Sequence, residues 1–563
     1  MTDGVLRVCE SCPLPVRQEA LSRGWRVIGP GSTEDEVSGC PVSQPASERR
    51  RKTRRGRIGV AENPPAGSRV FELYWRNSRF TKSEFKTGHD RAGRMNHFPH
   101  TKCLTKKDLL IHAMRKMRAV HGKIYDFLPM SFILPSEYTK FVHAYAAEDD
   151  DQVCASAKKS IEGHSGDKSA GRAVWICKPS DLSRGRKIFL IKDLSDLHYD
   201  QQYVVQRYVP NPLTIGGYKV DLRVYILVTS MQPLRVHIFR NGLARFGTVK
   251  YDDKMQDIDN LFSHLTNSSI NKLSNTFDHD KEVIGSGSKW DFGALREWFK
   301  SNQLGEAAFA TLWARICDIS LCTILTALPS KPVSSSCFEL FGFDILVDAA
   351  LRPWLLEVNC APALSIDGST DRRVKEPLIR AVYDLVQQQQ PVVKTNRRRG
   401  LRAIAPKNSK LRPASGKTRI CPLPNAGLPP RPATAVAGQK QKGPCAGASA
   451  GAATTMTREG QQGASGDDSG TENFRAMAAS TEAGQHDDND YKDDDDDLSR
   501  FDCIFPFDET TAQAALLMAT CQGQASQRKL AEAIRIIVQE IRKRRRGAMQ
   551  AECAVSTEVT ASR

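Results

Sequence analysis

Two apolar patterns alternate along this chain, and each predicts a kind of element. TKKDLLIHAMRKMRAVH, at 105–121, sets Leu109, Leu110, Ala113, Met114 and Met117 near one side of a helix. FLPMSFILPSEYTKF then reads as a short strand and a helix start. AVWICKP and KIFLI are strand-like runs with SRGRK between them, and YVVQRYV (203–209) is a further strand. YKVDLRVYILVT (218–229) is a long strand that turns through SMQP into LRVHIFR. LCTILTAL (321–328) belongs to a core helix, FGFDILVD and PWLLEVN make a second hairpin, and VKEPLIRAVYDLVQ is the helix after it. Antiparallel hairpins mixed with amphipathic helices predict an α+β domain over residues 66–393.

Composition sets the borders of that domain. Residues 1–65 are rich in Ser, Pro, Gly and Arg and read as a flexible basic segment, with RRRKTRRGR at 49–57. The polar stretch 148–172 reads as an exposed insertion, and 394–500 as a low-complexity linker ending in the acidic run DYKDDDDD. In the segment 501–563, QRKLAEAIRIIVQEIRKRRR carries a Leu530, Ile534, Ile537, Ile541 stripe that suits docking on the main domain.

The chain has 563 residues and a formal net charge of +17, which favours an acidic partner. Fifteen scattered cysteines, without paired zinc-like CxxC motifs, predict reduced thiols in an intracellular protein. The first residues lack a signal-peptide pattern, and no apolar run reads as a bilayer span. Nucleic acid is disfavoured as partner, because neither a zinc-finger array nor an RRM signature occurs.

The candidate chemistry lies in the two hairpins. Asp344 and Glu357 face each other if the second turn centres on Ala350 and Leu351, and Asn359 shares the face of Glu357. These three are hard oxygen donors suited to Mg2+; the same pattern also makes a hydrogen-bonded sheet rim. Lys219, Asp221 and Arg223 fall on one face of the long strand, as phosphate and carboxylate contacts or as an ion-pair ladder. Lys178 can reach phosphates or end its strand in solvent. SRGRK, with Arg184 and Gly185, can cover phosphates, although it is no P-loop. Gln206 can read an adenine edge or cap the strand.

At these residues the sequence resembles the tubulin tyrosine ligase-like family, from about Val70 to Gln390. NHFPH (96–100), WICKP (175–179), YVVQRYVPNPLTIGGYKVDLRVYILVTS, HLTNSSINK (264–272) and FELFGFDILVD…PWLLEVNCAP carry the resemblance, which is nearest the glutamylating branch. It implies an ATP-grasp-like fold with ATP between two α+β lobes. It places Lys178, Arg184, Gly185, Gln206, Lys219, Asp221, Thr266 and Asn267 at nucleotide positions. Asp344, Glu357 and Asn359 fall on magnesium-ligand positions, and Arg223 falls beside the reacting carboxylate.

The implied reaction joins free L-glutamate to glutamate side chains in the acidic C-terminal tails of α/β-tubulin through an acyl phosphate. The implied setting is cytoplasmic microtubules, with cilia and basal bodies as further sites. Arg235, Arg240 and Arg245 are candidate acceptor contacts or, equally, solvated strand-edge residues. Two departures stand out: Lys187 replaces a glycine of the RGRG-like stretch, and Ser268 replaces an aromatic. The first suggests an alternative, a microtubule-binding protein with a weakened ligase core.

Overall fold

The computed structural model describes residues 4–9, 11–29, 71–85, 93–147, 173–182, 185–252, 257–271, 289–328, 336–388, 497–519 and 525–561. The basic run at 49–57, the insertion at 148–172, Arg184 and the linker as far as residue 496 lie outside the described residues.

Ordered structure starts earlier than composition suggests. β1 (Gly4–Val8), α1 (Leu14–Ser22) and β2 (Arg26–Ile28) fall within the stretch expected to be flexible. They join β3 (Phe71–Trp75) and β4 (Arg94–Met95) in a parallel sheet of order β2-β1-β3-β4. GVLRV is too short to announce itself. Its stability comes from β3, where Leu6 faces Leu73 and Val8 faces Trp75, and from burial of Val16 and Ala20 beneath α1.

The second sheet follows α2 (Lys107–His121). Leu110, Ile111 and Met114 are the buried stripe of α2, whereas Leu109 is 39% exposed and lies off the expected face. β5 (Ser131–Leu134), β6 (Trp175–Pro179), β7 (Phe189–Ile191) and β8 (Tyr203–Arg207) pair antiparallel in the order β5-β8-β6-β7. Phe132, Phe141 and Trp175 fill one side of this sheet.

The third sheet is the largest. β9 (Thr214–Ile215), β10 (Tyr218–Met231), β11 (Leu234–Phe246) and β12 (Lys289–Asp291) lead into α3 (Phe292–Ser301) and α4 (Gly305–Leu325). β13 (Glu339–Val347) and β14 (Pro353–Asn359) then complete the path β12-β11-β10-β13-β14, and α5 (Ser369–Gln388) follows. Val220, Leu222, Val224 and Ile226 point into the main core with Phe341, Phe343 and Ile345. Tyr225, Leu227 and Leu243 point the other way, onto Val374, Leu378 and Tyr383 of α5.

By length and composition α4 is apolar enough to cross a bilayer, which the sequence reading did not anticipate. In this fold it is a core helix with Ile316, Ile319 and Ile324 buried. The NHFPH motif anchors β13: buried Glu339 accepts from Phe98 N at 3.1 Å and Thr101 Oγ1 at 2.9 Å, and pairs with His97 Nδ1 at 3.0 Å.

The last segment returns to the same body. β15 (Phe501–Phe505) pairs with β11, setting Val236 opposite Phe505, and α6 (Glu509–Ala519) and α7 (Ala525–Ala561) follow. Ala533, Ile537, Val538 and Ile541 of α7 enter the main core. Buried Asp318 of α4 accepts from Arg545 Nε at 2.7 Å and also pairs with Arg544. Asp318→Ala should therefore loosen α7 without touching the cleft, read as faster amide exchange confined to α7 and its contacts. Unchanged exchange would sever that link.

Candidate active site

Four residues of β10 alternate along one face: Lys219, Asp221, Arg223 and Tyr225. The register with β13 sets Arg223 opposite Asp344, and β14 sets Glu357 opposite Asp344. The second hairpin turns about Ala350, since Val347 faces Pro353 and Ile345 faces Leu355. A bulge between Asp344 and Ile345 then shifts the pairing, so that Asp344 meets Glu357 rather than Leu356. Asn359 Nδ2 lies 3.4 Å from Glu357 Oε1, so Asn359 sits beside Glu357 on the strand that faces Asp344.

A cavity opens between the second and third sheets. Lys178 and Gln206 line it from the second sheet, together with Gly185 of the connecting loop. Lys219, Asp221, Asp344 and Glu357 line it from the third, and Thr266 and Asn267 close one side. Arg223 adjoins the cavity through Asp344, and Asn359 adjoins it through Glu357. Arg184 and the Ser268 side chain lie outside the described residues.

The cations are unevenly paired. Lys219 Nζ donates to Tyr208 Oη at 2.7 Å and to the His264 carbonyl at 2.9 Å, and it lies 4.3 Å from the Tyr208 ring centroid. Burial pushes its ammonium down to about 7. Lys178 Nζ donates to Gln206 Oε1 at 2.7 Å, and burial pushes it down to about 8. Gln206 in turn donates to Ser131 Oγ at 3.0 Å, so both ends of its amide are engaged.

Asp344 is held by two arginines. Arg223 donates from Nε at 2.6 Å and from Nη2 at 3.1 Å, while Arg245 Nη2 lies 3.1 Å from Asp344 Oδ2. Burial alone would raise its pKa, but Arg223 and Arg245 overcome this and hold the carboxyl well below the usual carboxylate range. Arg245 also grips Asp221, at 2.8 and 2.5 Å. Its burial opposes the charge, yet the two carboxylates keep its proton more firmly than usual.

These contacts correct the expected acceptor arginines. Arg245 is buried within the site as a clamp between two carboxylates. Arg240 is drawn to the C-terminal segment, donating to Asp502 Oδ1 at 2.8 Å and pairing with Asp497. Arg235 lies opposite Ser230 and does not line the cavity. Lys107, at the start of α2, was not anticipated: it lines the cavity with Nζ 3.9 Å from Glu357 Oε2. Tyr208 and His264, which seat Lys219, were also missed as individuals, although both sit inside quoted motifs.

Gly185 and Lys187 of the SRGRK stretch both have a glycine-type backbone. A Cβ on Gly185, whose φ is 72°, would meet Ile270 Cδ1 at 2.2 Å. Lys187 adopts φ 54°, the left-handed region, and its ammonium pairs with Asp200 at 3.0 Å away from the cavity lining. Lys187→Gly should therefore leave turnover within roughly twofold and leave the melting temperature equal or higher. A large change in turnover would show that Lys187 acts on the site after all.

Among the described residues, no cluster of three His, Cys, Asp or Glu side chains is set for a metal. The third donor beside Asp344 and Glu357 would be the Asn359 amide oxygen. That donor set is all hard oxygen and fits Mg2+, whose shell is ordinarily completed by water and phosphate.

Residues 85–397 match the model of the Tubulin-tyrosine ligase family. Probable tubulin polyglutamylase TTLL2 of Homo sapiens is 42% identical over 387 residues, covering 68% of this chain and 55% of that protein. Tubulin polyglutamylase TTLL5 of Homo sapiens is 36% identical over 327 residues, 56% of this chain and 23% of that protein. Probable alpha-tubulin polyglutamylase Ttll1 of Tetrahymena thermophila is 32% identical over 327 residues, 52% of this chain and 71% of that protein. The chain spans about half the length of the TTLL2 relatives that it matches. With the α+β fold and the strand-borne cleft in place, this match means that the chain belongs to the tubulin-tyrosine ligase family.

Proposed function

We propose that this protein is an ATP-dependent ligase that adds L-glutamate to glutamate side chains in the acidic C-terminal tails of α/β-tubulin. The observation that carries the reading is one cavity bringing Lys178, Lys219, Asp344 and Glu357 together, with Arg223 bound to its rim. The named polyglutamylases among its relatives support the choice of donor and acceptor. Microtubules in the cytoplasm, and in cilia or basal bodies, are the proposed setting.

A carboxylate resists attack by an amine, because its own charge repels the nucleophile. In the proposed reaction an acceptor carboxylate oxygen takes the γ-phosphoryl group of ATP, the bond to the β-phosphate breaks, and ADP leaves. The α-amine of glutamate, having lost its extra proton, then attacks the acyl carbon; an amide forms and phosphate departs. Lys178 and Lys219 offset charge on the triphosphate, and Arg223 orients the acceptor carboxylate. Asp344, Glu357 and Asn359 would hold Mg2+, which supplies further charge neutralisation on the transferring phosphoryl group. No covalent enzyme nucleophile is needed. The position of Lys187, paired with Asp200 outside the cavity, favours this reading over a weakened ligase core.

Purified protein with ATP, Mg2+, glutamate and tubulin should yield masses rising by whole glutamyl residues, confined to tail peptides. Parallel reactions with tyrosine and glycine should yield none. Retained ATP binding without any addition would reject the ligase reading.

The depressed lysines predict a proton linkage. Lys219 titrates near 7 against an ordinary 10.5, so at pH 8 it is largely neutral in the free protein. A polyphosphate beside it restores the ammonium, and ATP binding at pH 8 should take up protons. Calorimetry in buffers of unlike ionisation enthalpy measures this uptake, and identical heats in both would remove the linkage. The unfolded chain holds these protons up to its higher pKa. This component of stability therefore rises with pH from about 7 to about 10.

A further inference from the structure

The polar face of β10 does not stop at Arg223. Tyr225 comes next on that face, opposite Gly342 of β13, and its side chain is fully buried. Among the described residues its hydroxyl has no hydrogen-bond partner. The surroundings are nonetheless charged, since Arg223, Asp371, Arg245 and Asp344 all act on it electrostatically. Burial pushes the phenol up to about 12, so it stays neutral and able both to donate and to accept. A buried hydroxyl without a partner weighs against the folded state, and phenylalanine would fill the same space without that penalty.

Arg223 is the neighbour that could use this group. Both of its bonded nitrogens, Nε and Nη2, are spent on Asp344. Its arm nevertheless leans out of its own cross-strand row. A Cβ on Gly342, the residue facing Tyr225, would come within 3.2 Å of Arg223 Cδ and 3.4 Å of Arg223 Nε. The guanidinium stem thus already lies over the row that Tyr225 occupies. Asp344, for its part, has Arg245 as a second partner and keeps a counter-charge if Arg223 moves.

We propose that Tyr225 is a positioning residue, its hydroxyl serving as the alternate acceptor for the Arg223 guanidinium when Asp344 turns to the reacting groups. Arg223 then has two seats, one on Asp344 in the free protein and one on Tyr225 in the loaded site. The catalytic half of this inference rests on the ligase reading above; the structural half does not.

Tyr225→Phe separates the two. In the free protein its melting temperature should equal or exceed that of wild type, because the group removed had no partner. On adding ATP and Mg2+, the variant should gain less thermal stabilisation than wild type. Its kcat for glutamate addition should fall about tenfold, as for loss of one hydrogen bond to a charged group, with KM for tubulin unchanged. A lower melting temperature in the free variant would overturn the proposal, since the hydroxyl would then be partnered already. Wild-type values for both the ligand-induced shift and kcat would overturn it equally. A wild-type protein that binds ATP yet transfers no amino acid would reject the ligase reading alone, while a reduced ligand-induced shift in the variant would still support Tyr225.

Discussion

Arg245→Leu should cost about 3–5 kcal/mol of stability, the usual effect of stranding a buried charge. Arg245 stands between Asp221 and Asp344, at hydrogen-bonding distance from both, and all three are buried. Asp221 faces Arg245 directly in the strand register and forms no other ion pair among the described residues, so it would be left as a lone carboxylate in the sheet. Asp344 would retain Arg223. The loss should therefore come mainly from Asp221, and Asp221→Asn in the Arg245→Leu background should recover part of it. Chemical denaturation of the single and double variants measures both. A single variant within about 1 kcal/mol of wild type would mean that water reaches Asp221 and the clamp is not closed.

Glu357→Gln should lower glutamate addition by about 10²–10³, the range for removing a key electrostatic group from a reaction centre. Its effect on stability should be small. Glu357 is half-buried, and among the described residues it pairs with Lys107 at 3.9 Å. The substitution preserves shape while removing one negative charge from the oxygen trio. It should also lower the Lys178 pKa further below about 8, because Glu357 is the main group supporting that charge. Mass spectrometry of tubulin tails, with a melting curve as control, distinguishes lost chemistry from lost folding. Full activity in this variant would remove Glu357 from the proposed centre.

Much of this site could be read from spacing. Lys219, Asp221 and Arg223 needed only the two-residue period of a strand, and that strand is long enough to show it. Asp344 and Glu357 needed a turn centre. The count expected Ala350 and Leu351; the turn centres on Ala350 alone, and a bulge supplies the missing half-step. The pairing of Arg245 with Asp221 was out of reach for a related reason. Met231 faces Leu234, and counting back from that turn sets Ala244 opposite Asp221. Register shifts near Val224 and Val228 add the residue that brings Arg245 there instead. Sequence spacing cannot see a bulge, and one residue of slip reverses every side chain.

Distance along the chain hid the rest. GVLRV and FDCIF are each five residues long, and each is a strand only because a remote partner, β3 or β11, accepts it. Composition judged both by their neighbours. The same remoteness concealed Arg240, whose acidic partners are Asp497 near the end of the linker and Asp502 just after it.

The late pairing of β15 with β11 has a cost during synthesis. Until the ribosome has made FDCIF, the growing polypeptide carries the β11 border from Val236 to Phe239 without its cover, and a core still missing Phe505, Ile537 and Ile541. A fragment cut after the family-matching region keeps that sticky border permanently. Chaperone crosslinks to nascent chains should cluster there and vanish once the closing strand emerges.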